Sequence, residues 1–302
     1  MQTTSLKLSV GASIVPLARF YIRHAPVQLF KRTLWKYFSW RHHPYRASTY
    51  FQARMAGSSS DLVQGYIYYF GIWEPNLSSF ITRRLKEAPE RTFVDVGANV
   101  GYFSLLAAQH LPAGHVVAIE AFPSIYAKLQ TNIALNRFGN IRAVQRAVTD
   151  KASQVHMFYA GADNEGTTSA VHGTDGLVSV EVAGEALPDL LTREEIASVR
   201  LIKIDVEGAE HAVLLGMRPL LAQLPADAEI IMEISPKDLG QDKLAQIFAI
   251  FDSAGFLPYE IANIYTPDYY MFSQKIDRPT RLRALPTRLS DVIFSRVQAE
   301  HL

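Results

Sequence analysis

The chain has 302 residues, 48% of them apolar, with 30 Lys and Arg against 29 Asp and Glu and no cysteine. That length and composition can bury one sizeable core plus appendages. The absence of cysteine excludes disulfides and thiolate metal sites and leaves the redox compartment open.

Charge is unevenly placed. The first 60 residues carry nine basic side chains (Lys7, Arg19, Arg23, Lys31, Arg32, Lys36, Arg41, Arg46 and Arg54) and no acid. The remainder holds 21 basic against 29 acidic residues. Trp35, Tyr37, Phe38 and Trp40 lie in this basic stretch. Three readings of residues 1–60 follow, in this order: an arm packed on an acidic catalytic domain, a peripheral contact with an anionic membrane surface, or nucleic-acid binding. No separate recognition motif supports the last. The longest apolar stretch, around Leu8–Ala18, is broken by Pro16 and too short to span a bilayer.

Residues 93–101 read Phe-Val-Asp-Val-Gly-Ala-Asn-Val-Gly, and Glu120 closes the next apolar run, Val116–Ile119. An apolar strand ending in an acid, a glycine turn, a helix and a second strand ending in an acid describe a nucleoside-binding α/β half-fold. Gly97 and Gly101 let backbone pass close to a ligand, and Asn99 is placed to cap a helix starting near Val100. The open N–H groups of that helix suit a carboxylate or phosphate. Glu120 stands where a carboxylate accepts both ribose hydroxyls.

Two cofactor classes compete for this layout. A dinucleotide fingerprint requires G-x-G-x-x-G, whereas Gly97 and Gly101 are spaced G-x-x-x-G. Asp95 beside the loop would repel a pyrophosphate but complements the ammonium and sulfonium of S-adenosylmethionine. An NAD-dependent dehydrogenase is therefore disfavoured.

Later elements fit the same plan. Ile141–Ala147, Arg200–Asp205 and Glu229–Ile234 read as strands, with Phe256–Ile261 and Tyr269–Ser273 as a closing antiparallel pair. Helical patterns cover Ser124–Arg137, Glu210–Gly216 and Lys243–Ala254. This alternation predicts a doubly wound, mostly parallel sheet with an antiparallel last strand. Residues 154–192 interrupt it: Gln154–Tyr159 and Leu177–Val182 alternate like edge strands around a polar loop, Gly161–Ser169. The loop, with His172 after it, reads as substrate-facing or as a surface hairpin. Asp291–Gln298 reads as a short apolar-faced helix in a C-terminal tail.

Residues 201–210, Leu-Ile-Lys-Ile-Asp-Val-Glu-Gly-Ala-Glu, place Asp205 and Glu207 at the carboxyl end of a buried strand. Ligands of open parallel sheets bind at such ends. Desolvation makes crowded acids costly there unless something uses them.

These pieces resemble the FkbM-type methyltransferase family. The resemblance rests on Phe93–Gly101, Val116–Glu120, the Leu129, Asn132 and Asn136 helix, Ile202–Glu210 with Leu214-Leu215-Gly216, and Glu233 within Ile231–Ile234. It covers roughly residues 60–275, which divides the chain into an arm (1–60), a catalytic domain (61–275) and a tail (276–302). It implies a class I methyltransferase-like (Rossmann-like) fold, S-adenosylmethionine as donor, and O-methylation of a hydroxyl on a sugar, polyketide or lipid-linked glycan. Two features depart from the family. Ala121-Phe122 separates Glu120 from Pro123, where the family commonly places proline directly after the acid. Gln145-Arg146-Ala147 offers no carboxylate to the adenine amino group, so backbone atoms there would read the base.

The expected cofactor contacts are thus Asp95, Gly97, Ala98, Asn99, Gly101, Glu120, Ala121, Arg146, Ala147 and Asp205. The sulfonium is already an activated donor, so the protein must align acceptor and methyl and remove a proton. Asp205, Glu233 and Glu207 are the catalytic candidates, with His211 a further base and Glu210 on the following helix. A divalent ion between Asp205 and Glu233 would suit hard oxygen ligands, but no metal is predicted. A donor made in the cytosol argues for a cytoplasmic protein, peripheral at the inner membrane surface if the arm binds lipid, and the cleavage context for a signal peptide is weak. A non-catalytic membrane-associated module with this fold stays as the other reading, and the oligomeric state is open.

Overall fold

The computed structural model describes residues 3–25, 27–39, 43–159, 178–272 and 275–302. The polar loop Gly161–Ser169 and His172 lie outside them.

The N-terminal arm is α1 (Thr3–His24), α2 (Lys31–Phe38) and an antiparallel hairpin of β1 (Pro44–Ser48) and β2 (Arg54–Ser58). Then come α3 (Leu62–Phe70) and α4 (Pro75–Lys86). Asp61 starts α3 by accepting the Gln64 N–H, and Gly71 ends it at a φ of 74° that disfavours other residues.

The central sheet starts with β3 (Thr92–Val96), followed by α5 (Tyr102–His110), β4 (His115–Ile119), α6 (Pro123–Ala134) and β5 (Ile141–Val144). A small second sheet is formed by β6 (Ala147–Val148), β7 (Ser153–Tyr159) and β8 (Val178–Glu185). Short helices α7 (Leu187–Leu190) and α8 (Arg193–Ala197) lead to β9 (Val199–Ile204), α9 (Glu210–Met217), β10 (Glu229–Ile234) and α10 (Pro236–Ser253). The chain closes with β11 (Leu257–Ile261), α11 (Pro267–Phe272), β12 (Thr280–Arg281) and β13 (Ser290–Ser295).

The eight-stranded sheet runs β12-β11-β13-β10-β9-β3-β4-β5. Strands β5, β4, β3, β9 and β10 are parallel, while β13 pairs antiparallel with both β10 and β11. From β3 the chain winds one way through β4 and β5, then crosses to β9 and β10 on the other side. The switch point, where such folds bind ligands, lies between β3 and β9. Every residue of β3 and β9 is buried, as expected of a parallel sheet covered on both faces. One face packs Val213, Met217, Ile247 and Phe251, and the other packs Leu77, Ile81, Leu105 and Leu106.

Four expectations need correction. Ile141–Ala147 is not one strand: it splits into β5 and the start of the second sheet. Tyr269–Ser273 is not a closing strand, because Pro267 and Asp268 open α11 there. The closing strand is β13, where a helix was expected over Asp291–Gln298. All six of its residues are buried, the polar Ser290, Asp291 and Ser295 included, so the sequence shows no alternation of polar and apolar positions to mark a strand. The segment beyond 275 therefore completes the sheet. Finally, Asn99 does not cap α5: its Oδ1 accepts the Val100 N–H, and Gly101 occupies the N-cap at φ 91°.

The arm packs back on this body. Arg19 donates to the Tyr68 and Ser48 carbonyls and Arg23 to Ser48. Val15, Ala18 and Ile22 join an aromatic cluster with Tyr66, Tyr69 and Phe70. Asn132 on α6 accepts the Ala56 N–H and donates to the Val100 carbonyl, tying the hairpin to the glycine turn. Among the described residues no helix is long and apolar enough to cross a membrane.

Candidate active site

One cavity of about 600 Å³ opens at the carboxyl ends of β3, β4, β9 and β10, within the range of small-molecule sites. The glycine turn forms its floor. Positive φ at Gly97 (80°), Asn99 (50°) and Gly101 (91°) folds residues 97–101 tightly. A Cβ on Gly97 would lie 1.8 Å from the Asp205 carbonyl oxygen, so the two strand ends touch only because Gly97 has no side chain.

Glu120 stands at the end of β4. Its two carboxylate oxygens accept the Asn99 and Phe122 N–H groups, each at 2.9 Å. Both oxygens keep a lone pair for a ribose hydroxyl, and the side chain is buried yet lines the cavity. Burial raises its pKa to about 7 against the pull of those backbone donors. Beyond it, Ile125, Val148, Val155 and Met157 give an apolar slot fit for a base. The residues present thus suit an adenosine-bearing cofactor.

Of the expected cofactor contacts, Gly97, Ala98, Asn99, Glu120, Ala121, Arg146, Ala147 and Asp205 line the cavity. Asp95 and Gly101 are not among the lining residues. Asp95 is 1% exposed beneath the floor, and its Oδ2 accepts the Ser104 hydroxyl at 2.6 Å. Burial raises its pKa, opposed by Lys203 and Ser104. Gly101 is spent on the turn, where a Cβ would meet Leu129 at 2.6 Å. Arg146 is held at the rim by Glu185, at 2.8 Å.

Asp205 and Glu233 do end adjacent parallel strands, and with Glu207 they face the cavity. Ligand atoms of the three carboxylates lie within 4.8 Å of one another, a spacing that could hold a metal ion. Burial, then Asp205, push Glu207 up to about 8 and Glu233 to about 11. Glu210 holds the turn by accepting the Gly208 N–H at 3.0 Å. His211 lies on α9, lines the cavity, and pairs with Gln246 at 2.9 Å.

Several residues escaped the sequence reading. Lys203, in β9, is paired in register with Asp95 and lies 2.8 Å from Asp205. Burial alone would lower its pKa, yet Asp205, Asp95 and Glu74 hold it above the usual lysine value. A lysine between the buried Ile202 and Ile204, at the carboxyl end of β9, was the signal. Glu74 has no comparable signal. It precedes α4 at φ 43°, a strained backbone for glutamate, and accepts the Tyr265 hydroxyl at 2.7 Å. Burial and then Asp291 push its pKa well up. Trp73 stacks on Tyr265 with centroids 5.3 Å apart. Asp291, on β13, sits directly across from Glu233 and is pushed by burial and Asp205 to about 7. Burying two facing carboxyl groups costs stability whether they are ionised or held neutral, so this end of the sheet is built for something other than stability.

The fold is the class I methyltransferase-like (Rossmann-like) sheet, and the cavity at its switch point suits an adenosine-bearing cofactor. The family profile described as the methyltransferase FkbM domain matches residues 95–258, and the chain belongs to that family. It is 29% identical over 196 residues to the 31-O-demethyl-FK506 methyltransferase FkbM of Streptomyces tacrolimicus, covering 56% of this chain and 73% of that one. With the methyltransferase sdnD of Sordaria araneosa it shares 28% identity over 153 residues, 41% of this chain and 59% of the other. A solved FkbM methyltransferase from Methylobacillus flagellatus superimposes with a TM-score of 0.44 at 13% identity, over 68% of this chain and 44% of that one.

Proposed function

We propose that this chain is an O-methyltransferase that moves the methyl group of S-adenosylmethionine to a hydroxyl of a polyketide, a sugar or a lipid-linked glycan. The observation that carries it is one cavity with two different ends: Glu120 and its apolar slot at one, and Asp205, Glu207, Glu233 and Glu74 at the other. Bound there, S-adenosylmethionine supplies an activated methyl group. Gly97, Ala98 and Asn99 would hold it against the floor, with Glu120 on the ribose.

The carboxylates of the second end would receive the hydroxyl proton as the acceptor oxygen takes the methyl. Asp205 is the leading base: it joins the floor to the carboxylate cluster, and Lys203 fixes its position at 2.8 Å. Glu207 and Glu233, with raised pKa values, serve as hydrogen-bond donors to an acceptor when protonated. Leu62 and Leu289 line the cavity while exposed, an apolar rim that favours an acceptor with an apolar body. The relative whose name gives an O-demethyl acceptor, 31-O-demethyl-FK506, supports transfer to oxygen.

The test uses S-adenosylmethionine with a tritiated methyl group and a panel of three acceptors: a macrolactone with a free hydroxyl, a methyl glycoside and a polyprenyl-linked glycan. Label transfer to oxygen with release of S-adenosylhomocysteine is expected for at least one. Calorimetry with NAD is the control. NAD binding without a response to S-adenosylmethionine, or cofactor binding with no transfer to any hydroxyl, would overturn the proposal.

A further inference from the structure

The arm carries a second feature that the cavity does not use. The inner face of α1 is occupied by Val15, Ala18 and Ile22, yet Leu17 and Phe20 on its outer face are 69% and 65% exposed. The Tyr21 hydroxyl donates to the Leu29 carbonyl at 2.8 Å, which holds the turn after α1 alongside the helix. That turn adds Val27, Leu29 and Phe30, all more than half exposed. Seven of the fifteen large exposed apolar side chains among the described residues fall between positions 14 and 37. Scattered exposed apolar residues are ordinary, but a contiguous group marks an interaction surface.

Phe30 sharpens the point. Its φ of 64° is a left-handed conformation that costs a bulky residue about 1 kcal/mol or more. Phe30 is the N-cap of α2, its carbonyl accepting the Leu34 N–H at 2.8 Å, so the strained backbone opens that helix while the ring itself stays unburied. A helix apolar on both faces needs two apolar neighbours. One is the aromatic cluster beneath it.

We propose that the second is a bilayer with an anionic surface, on which α1 and the following turn lie in the plane of the interface. Charge selects this occupant. The first 60 residues contain no carboxylate. Arg19 and Arg23 bond backbone carbonyls, Lys31 is buried and Arg32 pairs with Asp268. Lys36, Arg46 and Arg54 stand exposed, so the segment offers anionic headgroups free cations and no like charge of its own. Exposed Lys36 and Tyr37 follow on α2, a cation beside an amphipathic ring.

The experiment is co-sedimentation of the full chain with vesicles of phosphatidylcholine, alone or with about 30% phosphatidylglycerol, at low and high salt. The variant Leu17→Ser/Phe20→Ser/Phe30→Asn removes apolar area only from exposed positions, and asparagine tolerates the backbone at 30. S-adenosylmethionine binding by calorimetry checks that its fold and cavity are intact. Wild-type chain should bind the anionic vesicles, less so in high salt, with partitioning at least about tenfold weaker in the variant. Equal sedimentation of both proteins, or wild-type chain left in the supernatant with every vesicle, would overturn the proposal. So would a concentration-dependent dimer that the variant abolishes, since the patch would then cover a second copy. Neither result bears on methyl transfer.

Discussion

Two walls of the cavity are built in different ways. The wall proposed for the cofactor consists of Gly97, Asn99 and Glu120 at the ends of neighbouring parallel strands, 23 positions from first to last, all within the matched family segment. The facing wall brings Trp73 and Glu74 from before that segment together with Tyr265 and Leu289 from after it. Glu74 and Tyr265 are 191 positions apart and meet through one hydrogen bond. A shared cofactor demands a fixed local geometry, whereas an acceptor can be met by whatever chain flanks it. The comparison predicts that variants on the first wall act on S-adenosylmethionine and variants on the second on the acceptor.

The largest effect is expected where the walls join. Asp205→Asn keeps shape while removing the basic carboxylate and weakening the hold on Lys203. Turnover with the acceptor found in the panel should fall about 10²-fold or more, with cofactor affinity largely kept. A matched fall in affinity would instead place Asp205 on the cofactor's ammonium. Glu233→Gln is the control, and near-full activity in both variants and their double would remove a carboxylate base from this end.

On the cofactor wall, Glu120→Ala should weaken S-adenosylmethionine binding by about 1.5–3 kcal/mol, the range for hydrogen bonds to a charged group. It also frees the Asn99 and Phe122 N–H groups, so thermal melts must accompany calorimetry. Unchanged affinity would break the assignment of the ribose to Glu120.

On the facing wall, Glu74→Gln should leave cofactor affinity unchanged while lowering kcat/KM for the acceptor by about tenfold, one hydrogen bond's worth. Tyr265→Phe, which removes the hydroxyl donated to Glu74, should reproduce part of that loss. If both variants instead weaken the cofactor alone, the two-wall comparison fails.

The unequal legibility of the molecule follows the same division. Glycine turns and strand-end acids leave marks within a few residues, so the parallel sheet, Glu120 and the Asp205 to Glu233 pair could be read directly. Asp95 was misplaced because sequence puts it beside the loop but cannot tell that Ser104 and Lys203 draw it below the floor. Strand β13 was missed because burial on both faces erases alternation. Glu74, Tyr265 and Asp291 were illegible for a deeper reason: each is ordinary locally, and only the closing of the sheet collects them.

The smallest expected effect comes from pH, and it touches both walls. Burial raises Glu120 and Asp291 to about 7 and Glu207 to about 8. Folded chain therefore holds protons that unfolded chain, with ordinary carboxylates, has released between about pH 4.5 and 8. Stability from these groups is complete below the ordinary glutamate value and is lost as pH rises through 7 and 8. The melting temperature without cofactor should accordingly fall over that window. A sulfonium and an ammonium brought into the cavity favour the ionised carboxylates, so affinity should move the opposite way. Calorimetry from pH 6 to 8.5 should show S-adenosylmethionine binding tightening by roughly three- to tenfold, with protons released on binding at the lower end. The matched measurement on Glu120→Gln separates the walls: if Glu120 carries the effect, the pH dependence flattens, and if Glu207 and Asp291 carry it, the curve keeps its slope. Affinity that is flat in the wild-type chain would mean that the cofactor's positive charge is met by Asp205 alone.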